Sequence, residues 1–319
     1  NTIGALVFLI GVILIYYVYG TINIQFILNN IGLHSEHTIV QLAYIFMLAG
    51  ISVKAALVPV FTWLPKAHGV AQSTISALLS GLVVKGALYM FIRINNQMFL
   101  GAAYDTNELF FWIGAITAIV GVMFALTQKD MKQILAYHTI SQVGIMMMGL
   151  SSLDGKIAFG GMMHIFNHAF FKSLLFLGAG MIIKAYHTKK VSEVRGVLKT
   201  MPFVGVFIII GMLSISGAPM LNGFVSKSLI KYAAKEETFK MILFYLINLG
   251  TITSFIKFSQ VLFGPRKDIH PERNIKQHIA MGLLALMCLV VGVLYQPLTA
   301  YLYDLDISNI SWFNISNFL

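Results

Sequence analysis

Long apolar runs separated by short polar segments dominate the chain. Most runs are roughly 20 residues or longer, the length that an α-helix needs to cross the hydrocarbon core of a bilayer. The pattern predicts an all-α, polytopic transmembrane helix bundle with a polar connector over 21–37 and an interfacial tail after the last span. The nine predicted spans are, to within a few residues, 3–20, 38–62, 73–94, 108–127, 131–151, 157–183, 201–233, 238–263 and 279–301.

The composition supports this class. Of the 319 residues, 58% are hydrophobic and 11% are charged, and the mean hydropathy is +0.81, which soluble domains of this size do not reach. The single cysteine, Cys288, lies in an apolar run, which excludes a disulfide framework and a cysteine-based metal site. The chain begins with Asn and enters the first span almost at once, so we expect a processed chain or part of a longer protein.

Loop charges predict the orientation, because Lys and Arg are enriched in the cytoplasmic loops of membrane proteins. The net charge of +10 therefore indicates topology rather than nucleic-acid binding. We expect a plasma-membrane protein with the N-terminus of this chain in the cytoplasm and its C-terminus outside. The side of the N-terminus carries Lys66, Lys129, Lys132, Lys184, Lys189, Lys190, Arg195, Lys199, Arg266, Lys267, Arg273 and Lys276. The opposite side carries fewer basic residues, among them Arg93, Lys156, Lys235 and Lys240.

The predicted span 157–183 carries three ionisable side chains in an otherwise almost wholly apolar run. His164, His168 and Lys172 are spaced four residues apart, so a helix places them on one stripe. Ionisable groups at this depth are tolerated where they face the protein interior or a water-filled path, which favours a proton relay. Two other interpretations stay open: the histidines are satisfied by hydrogen bonds between packed helices, or they bind a metal or haem without nearby Cys or carboxylate ligands.

Two predicted spans contain helix breakers near a lysine. The sequence GISVKAALVPVFTWLP has Lys54 five residues before Pro59, and SISGAPMLNGFVSK has Lys227 eight residues after Pro219. Proline removes a backbone donor and clashes with the preceding turn, so the freed backbone groups need partners from protein or water. We expect both helices to be locally unwound and to line an ion path, rather than to form ordinary kinks.

Lysines inside the predicted spans form a series. Lys54, Lys85, Lys172 and Lys227 lie within spans or beside a break, whereas Lys257 lies nearer a span end, where its side chain could snorkel. A buried lysine changes its protonation state readily when a neighbouring charge moves, which a switchable relay requires. Every Asp and Glu lies in a loop or at a span end, so the acidic partner that such a relay usually needs is missing from the spans.

Four motifs together resemble one protein family. The motifs are WLPKAHGVAQSTISALLSGLVVKGALY (63–89), DMKQILAYHTISQVG (130–144), HIFNHAFFKSLLFLGAG (164–180) and LSISGAPMLNGFVSK (213–227). They resemble the antiporter-like, proton-conducting membrane subunits of Mrp-type antiporters, of the complex I membrane arm and of membrane-bound hydrogenases. The resemblance covers essentially the whole chain. It implies two inverted five-helix repeats, each with one broken helix, of which this chain matches the sixth to the fourteenth helix.

The resemblance also implies roles for individual residues. Lys54 matches the central lysine of the first half-channel, Lys85 the lysine of the following helix, and Lys227 the terminal lysine or glutamate of the second half-channel. The connecting central axis is matched by His164, His168 and Lys172. The implied parts of the chain are the end of the first repeat at 1–95, the second repeat at 96–265, and a final helix and tail at 266–319.

The chain departs from the family pattern in two places. The family's glutamate that pairs with the first lysine belongs to the helix just before this chain begins, which explains the missing carboxylate and supports a fragment. Ser80 stands where distal complex I subunits carry His, so the chain is more similar to the D-type Mrp protein or the middle complex I subunit. His138 is closer to the Mrp and hydrogenase branches. Accessory candidates are His138, Lys257, Lys66 and His68.

These observations favour a subunit that moves protons along buried lysines, histidines and water, with Na⁺ exchange left open. We expect the chain to bind no cofactor and no metal. If it belongs to an NADH:quinone oxidoreductase or a hydrogenase complex, we expect it to carry no redox centre of its own. The expected partners are the lipid bilayer and other antiporter-like or redox membrane subunits, not nucleic acid. The alternatives are a quinone- or haem-binding redox subunit and a structural membrane scaffold. The sequence does not separate the three kinds of complex.

Overall fold

The computed structural model describes residues 2–102, 104, 106–231, 237–265, 269 and 274–303. Lys235, Arg266, Lys267 and Arg273 of the charge pattern lie outside the described residues, as does the predicted tail after residue 303. The described helices are α1 (Thr2–Tyr19), α2 (Ile24–His34), α3 (Thr38–Ala55), α4 (Trp63–Val70), α5 (Ser73–Leu78), α6 (Val84–Arg93), α7 (Asn107–Thr127), α8 (Met131–Leu150), α9 (Gly155–Tyr186), α10 (Val197–Thr200), α11 (Pro202–Ser216), α12 (Asn222–Lys231), α13 (Thr238–Ser259), α14 (Ile275–Val293) and α15 (Tyr295–Tyr303).

Most of the predicted spans are long apolar helices. Among the described residues, seven helical segments are long and apolar enough to cross a membrane: Thr2–Tyr19, Thr38–Ala55, Ser73–Met98, Asn107–Thr127, Gly155–Tyr186, Thr238–Ser259 and Ile275–Val293. The other two predicted spans coincide with α8 and with α11 followed by α12, of which α11 is apolar but has only 15 residues. The predicted polytopic bundle of helices is therefore confirmed.

The segment predicted as a polar connector over 21–37 contains a helix, α2. The side-chain oxygen of Asn23 accepts hydrogen bonds from the backbone N–H groups of Gln25 at 3.0 Å and Phe26 at 3.2 Å, which caps the helix N-terminus. Ile27 and Ile31, one turn apart, are buried against the rest of the bundle. An N-cap followed by an apolar pair at helical spacing predicts a short helix even in a segment of polar composition.

Helix α9 is surrounded by other helices and packs against α5, α8, α11, α12 and α14. Its neighbour α8 is buried along nearly its whole length. Close packing of α7 on α8 depends on glycine, because a Cβ atom on Gly144 would lie 2.4 Å from the backbone nitrogen of Ala118. Small residues allow such close backbone approach between membrane helices. Polar side chains on α8 and α9 therefore face other helices rather than lipid.

Both predicted interruptions of membrane helices are confirmed. The first separates α3, which ends at Ala55, from α4, which begins at Trp63. The second separates α11, which ends at Ser216, from α12, which begins at Asn222. Each interruption leaves backbone carbonyl and amide groups without partners inside the helix, and these must be satisfied by other groups.

Candidate functional site

The three ionisable side chains of α9 all face the interior. His164, His168 and Lys172 are each 0% exposed to solvent or lipid in the chain. The helix that carries them is 32 residues long and begins at the N-cap Asp154, whose carboxylate accepts from the backbone N–H groups of Lys156 and Ile157. The stripe that the four-residue spacing predicts is therefore formed, and it is enclosed by neighbouring helices.

Lys85 reaches this stripe from the neighbouring helix segment. Its Nζ atom lies 2.7 Å from Nδ1 of His168, and it also donates to the backbone carbonyl of Ser80. The residues Leu79–Val83 form a turn of π-helix immediately before α6. Such wide turns occur often at functional sites, and this one brings the Ser80 carbonyl within reach of the Lys85 amine. The hydroxyl of Ser80 lies 2.8 Å from that of Thr139 on α8, which joins the turn to the core.

Lys172 is held one turn further along α9. Its amine donates to the backbone carbonyl of Leu135 on α8 at 2.6 Å and lies 5.8 Å from the centre of the Phe176 ring. An amine that is fully buried loses its hydration, so it needs acceptors supplied by the protein. A main-chain carbonyl of a neighbouring helix supplies one of them here.

His164 is hydrogen-bonded through both ring nitrogens. Nε2 lies 3.0 Å from Oε1 of Gln142 on α8, and because a carboxamide oxygen only accepts, Nε2 carries the proton. Nδ1 lies 2.8 Å from the hydroxyl of Ser226 on α12, which also accepts from Asn167 Nδ2 at 3.2 Å. These contacts use both ring nitrogens of His164, which is one of the two ligands that the metal or haem interpretation of His-x-x-x-His would need. They support the interpretation in which His164 is joined to packed neighbouring helices.

The second helix interruption brings Lys227 to the far end of the same region. Its amine donates to the carbonyl of Ile215, which the end of α11 leaves free, at 2.6 Å. It donates also to Oδ1 of Asn248 on α13 at 3.1 Å. A cavity of about 500 Å³ lies between α11, α12 and α13, and Lys227 and Asn248 both contribute to its wall. The lysine thus replaces backbone hydrogen bonds that the interruption removes.

Two accessory candidates, His68 and His138, are fully buried. The ring of His68 stacks on Phe176 at 4.7 Å between centroids, and the ring of His138 stacks on Phe255 at 4.6 Å. Neither ring has a hydrogen-bond partner at either nitrogen among the described residues. Buried polar groups of this kind are commonly hydrogen-bonded to internal water.

Three of the candidate lysines lie apart from this cluster. Lys54, in the last turn of α3, and Lys66, on α4, are exposed on the surface of the chain. Lys257, near the end of α13, donates to the backbone carbonyls of Leu126 at 2.9 Å and of Gln128, which lie at the end of α7. This contact gives Lys257 a helix-capping role. The structure therefore gathers Lys85, Lys172, Lys227 and the histidines around α9, and it places Lys54 elsewhere.

Several partners in the cluster were not singled out from the sequence. Gln142 and Ser226 lie inside two of the quoted motifs, but only the packing of α8, α9 and α12 shows that they meet at His164. Asn167 lies within the α9 stripe and donates to the Asn222 carbonyl at 2.8 Å. Asn248 lies between the apolar residues Ile247 and Leu249 in the predicted span 238–263, and its amide was the available signal.

Comparisons with known proteins identify the family. The model of the family described as NADH:quinone oxidoreductase/Mrp antiporter, TM, matches residues 1–257. The chain is 33% identical to hydrogenase-4 component B of Escherichia coli over 281 residues, covering 78% of this chain and 42% of that protein. It is 30% identical to the D-type Na(+)/H(+) antiporter protein of Alkalihalophilus pseudofirmus over 307 residues, covering 94% of this chain and 62% of that protein.

A solved structure of the Mrp complex from Dietzia sp. contains a chain of the same fold. The TM-score is 0.85 at 26% sequence identity, with 95% of this chain and 66% of that chain covered. This chain spans less than two thirds of the length of each of the two curated relatives above. The resemblance inferred from the four motifs is confirmed: the chain belongs to the NADH:quinone oxidoreductase/Mrp antiporter transmembrane family.

Proposed function

We propose that this chain is a proton-translocating subunit of a multisubunit membrane complex. The observation that carries the proposal is the buried contact between Lys85 and His168, continued along α9 by His164 and, across Ser226, to α12. Groups that gain and lose protons are expensive to bury in a membrane protein and are tolerated mainly where they serve a pathway. These titratable side chains lie along one central helix, α9, and this arrangement favours proton translocation over a purely structural role.

The proposed route begins with direct exchange between Lys85 and His168, because 2.7 Å is hydrogen-bond distance. The rings of His168 and His164 are 6.5 Å apart between centroids, a gap that a bridging water can fill. When His164 takes a proton on Nδ1, the Ser226 hydroxyl must turn its own proton away. The carbonyls of Asn222 and Gly223 lie 3.5 Å from the Ser226 oxygen and can accept it.

Lys172 and Lys227 complete the proposed row on either side of the histidines. Each amine is held by a backbone carbonyl, Lys227 also by the Asn248 amide oxygen, rather than by a carboxylate among the described residues. Such amines respond readily to a charge that moves nearby. We keep Lys54 in the route because of the family resemblance. His138, His68, Lys66 and Lys257 are proposed as accessory sites that lie outside this row.

The same proposal covers assembly and orientation. The relatives include proteins named for a Na(+)/H(+) antiporter and a hydrogenase, and one structural neighbour is part of an Mrp complex. We propose that the partners of this chain are other antiporter-like or redox membrane subunits. In one form of the proposed function, the complex exchanges Na⁺ for protons. The charge pattern supports an N-terminus of this chain in the cytoplasm and a C-terminus outside.

The test is to replace Lys172 with Ala in the complete complex. Without its amine the row loses one site, so proton movement should fall to the level of vesicles that lack the complex. The measurement is a pH-sensitive dye in inverted membrane vesicles, with assembly followed by blue native gels. Lys257→Ala is the matched control, because Lys257 also donates to backbone carbonyls but lies outside the row. Normal transport by an assembled Lys172→Ala complex would refute the proposed function.

A further inference from the structure

Helix α13 is fastened to α7 at both ends. Lys240 forms ion pairs with Glu108 of α7 and with Glu237, each at 2.8 Å, and Lys257 donates to the carbonyls at the end of α7. Between these ends, a Cβ atom on Gly250 would lie 2.2 Å from a side-chain methyl group of Val122 on α7, so the backbone of α13 packs directly against this side chain. Any movement of α7 or α13 is therefore expected to involve both helices.

On another side, α13 contacts α11 and α8 and also borders a cavity. This cavity of about 500 Å³ lies between α11, α12 and α13, and its wall includes Met212, Gly217, Tyr245 and Ile252. At the edge of this cavity, the hydrogen bond from Lys227 to Asn248 joins α12 to α13. The position of α13 relative to α12 is thereby linked to the terminal amine of the proposed row.

We infer that Asn248 is a positioning residue that sets the protonation equilibrium of Lys227 and couples it to the position of α13. The inference rests on the proposed function, since it concerns the last amine of that row. The two acceptors of the Lys227 amine differ in kind. The Ile215 carbonyl belongs to the same broken helix, whereas Asn248 belongs to a helix that is fastened to α7. Withdrawal of α13 would remove one acceptor and leave the other.

The amide of Asn248 suits this role because its oxygen accepts a hydrogen bond without carrying a charge. A carboxylate at the same place would favour the ammonium form strongly, and an apolar side chain would withdraw support from it. The other titratable side chains around Lys227 are Lys231 on its own helix, Tyr245 on α13, His138 on α8, and His164 and His168 on α9. These stay the same when Asn248 alone is changed, so the comparison isolates the amide.

The experiment measures the pH dependence of proton transport by the complete complex with Asn248→Asp, Asn248→Leu and Asn248→Gln. The Asp variant should move the midpoint of the pH–transport profile to higher pH by about one unit, and the Leu variant should move it to lower pH by about one unit. A shift of one unit corresponds to about 1.4 kcal/mol. The Gln variant keeps an acceptor and should stay nearer to the wild type than Leu does. Thr251→Val is the matched control, because among the described residues the buried hydroxyl that it removes donates to the Ile247 carbonyl of the same helix.

Opposite shifts for Asp and Leu, with Thr251→Val unshifted, would support the inference, whereas a merely structural role would lower the rate without separating the midpoints. Profiles that superimpose on the wild type, or shifts of the same sign, would overturn it. If the Asp variant fails to assemble, the Leu and Gln variants decide: they should differ in midpoint, and equal midpoints reject the inference. A wild-type complex that moves no protons would instead refute the proposed function itself.

Discussion

The two helix interruptions begin in the same way. At each one, the upstream helix ends in a residue with left-handed backbone geometry, Ala56 with φ +59° and Gly217 with φ +79°. Each of these residues donates its N–H to carbonyls of the preceding turn, which closes the helix end. Glycine adopts this geometry without strain, whereas alanine does so at a cost that the surrounding packing must offset.

The interruptions differ in which side chains hydrogen-bond to the backbone beside the break. At the first, the indole of Trp63 donates to the Val53 carbonyl at 2.8 Å, and the N–H of Val58 donates to the Thr117 hydroxyl at 3.1 Å. At the second, the amine of Lys227 donates to the Ile215 carbonyl at 2.6 Å. One interruption is therefore held by neutral donors, while the other is held by a group that can titrate.

This difference separates a structural break from one that can respond to protons. An indole donates one hydrogen bond whatever the pH, so the hydrogen bond from Trp63 at the first interruption does not depend on a group that titrates. A lysine that loses its proton keeps fewer donors and becomes an acceptor as well, so the contacts of the second interruption must change. Lys54 beside the first interruption is exposed, and the Val53 carbonyl is bound by the Trp63 indole and the Ala56 N–H instead.

The largest effect is expected for Lys227→Met. This change removes the donor to the Ile215 carbonyl, and a buried acceptor left without a partner costs about 1–3 kcal/mol. Transport should also be lost, because no titratable group remains at this position. Thermal unfolding of the purified complex and dye-based transport measure the two effects.

Lys227→Arg separates these two consequences. Arginine keeps a donor for the Ile215 carbonyl but stays charged at any pH a protein survives, so stability should recover while transport stays lost. Recovery of transport by the Arg variant would show that Lys227 acts by its charge or shape, not by exchanging a proton.

The sequence predicted the positions of both interruptions but not the difference between them. Proline and glycine mark where the helices end, and four-residue spacing places the α9 stripe on one face. Whether a nearby lysine turns inward depends on the neighbouring helices, which local patterns do not specify. Trp63 and Thr117 satisfy the first interruption, yet they lie 10 and 59 residues from their partners Val53 and Val58.

The π-helical turn at Leu79–Val83 was not predicted either. The segment contains one glycine and no proline, and its local sequence fits an ordinary helix. A Cβ atom at Gly81 would lie 2.5 Å from the Ser173 hydroxyl, so close packing on α9 accompanies the turn. Because the turn arises with tertiary packing, the contact between Lys85 and the Ser80 carbonyl could be found only in the folded chain.

A smaller effect is expected for Trp63→Phe at the first interruption. The change keeps most of the aromatic packing but removes one of the two donors to the Val53 carbonyl, the other being the Ala56 N–H. The free energy of unfolding should therefore fall by no more than about 1 kcal/mol. The midpoint of the pH–transport profile should not move, since the lost donor does not titrate. A shifted midpoint with the Phe variant would mean that the first interruption also responds to protons, and the comparison between the two would no longer hold.

The smallest effect on stability is expected for Lys54→Met. The side chain is exposed and, among the described residues, donates to no backbone group at the interruption. The free energy of unfolding should therefore change by no more than about 0.5 kcal/mol, as is usual for surface substitutions. The proposed route nevertheless predicts loss of transport, because Lys54 matches the central lysine of a half-channel by family resemblance. Thermal unfolding and vesicle transport on one preparation test both expectations, with Lys66→Met, another exposed lysine of this region, as the control. A stability loss as large as that of Lys227→Met would show that Lys54 supports the first interruption in the assembled complex as Lys227 supports the second. Unchanged transport would remove Lys54 from the route while leaving the buried row around α9 intact.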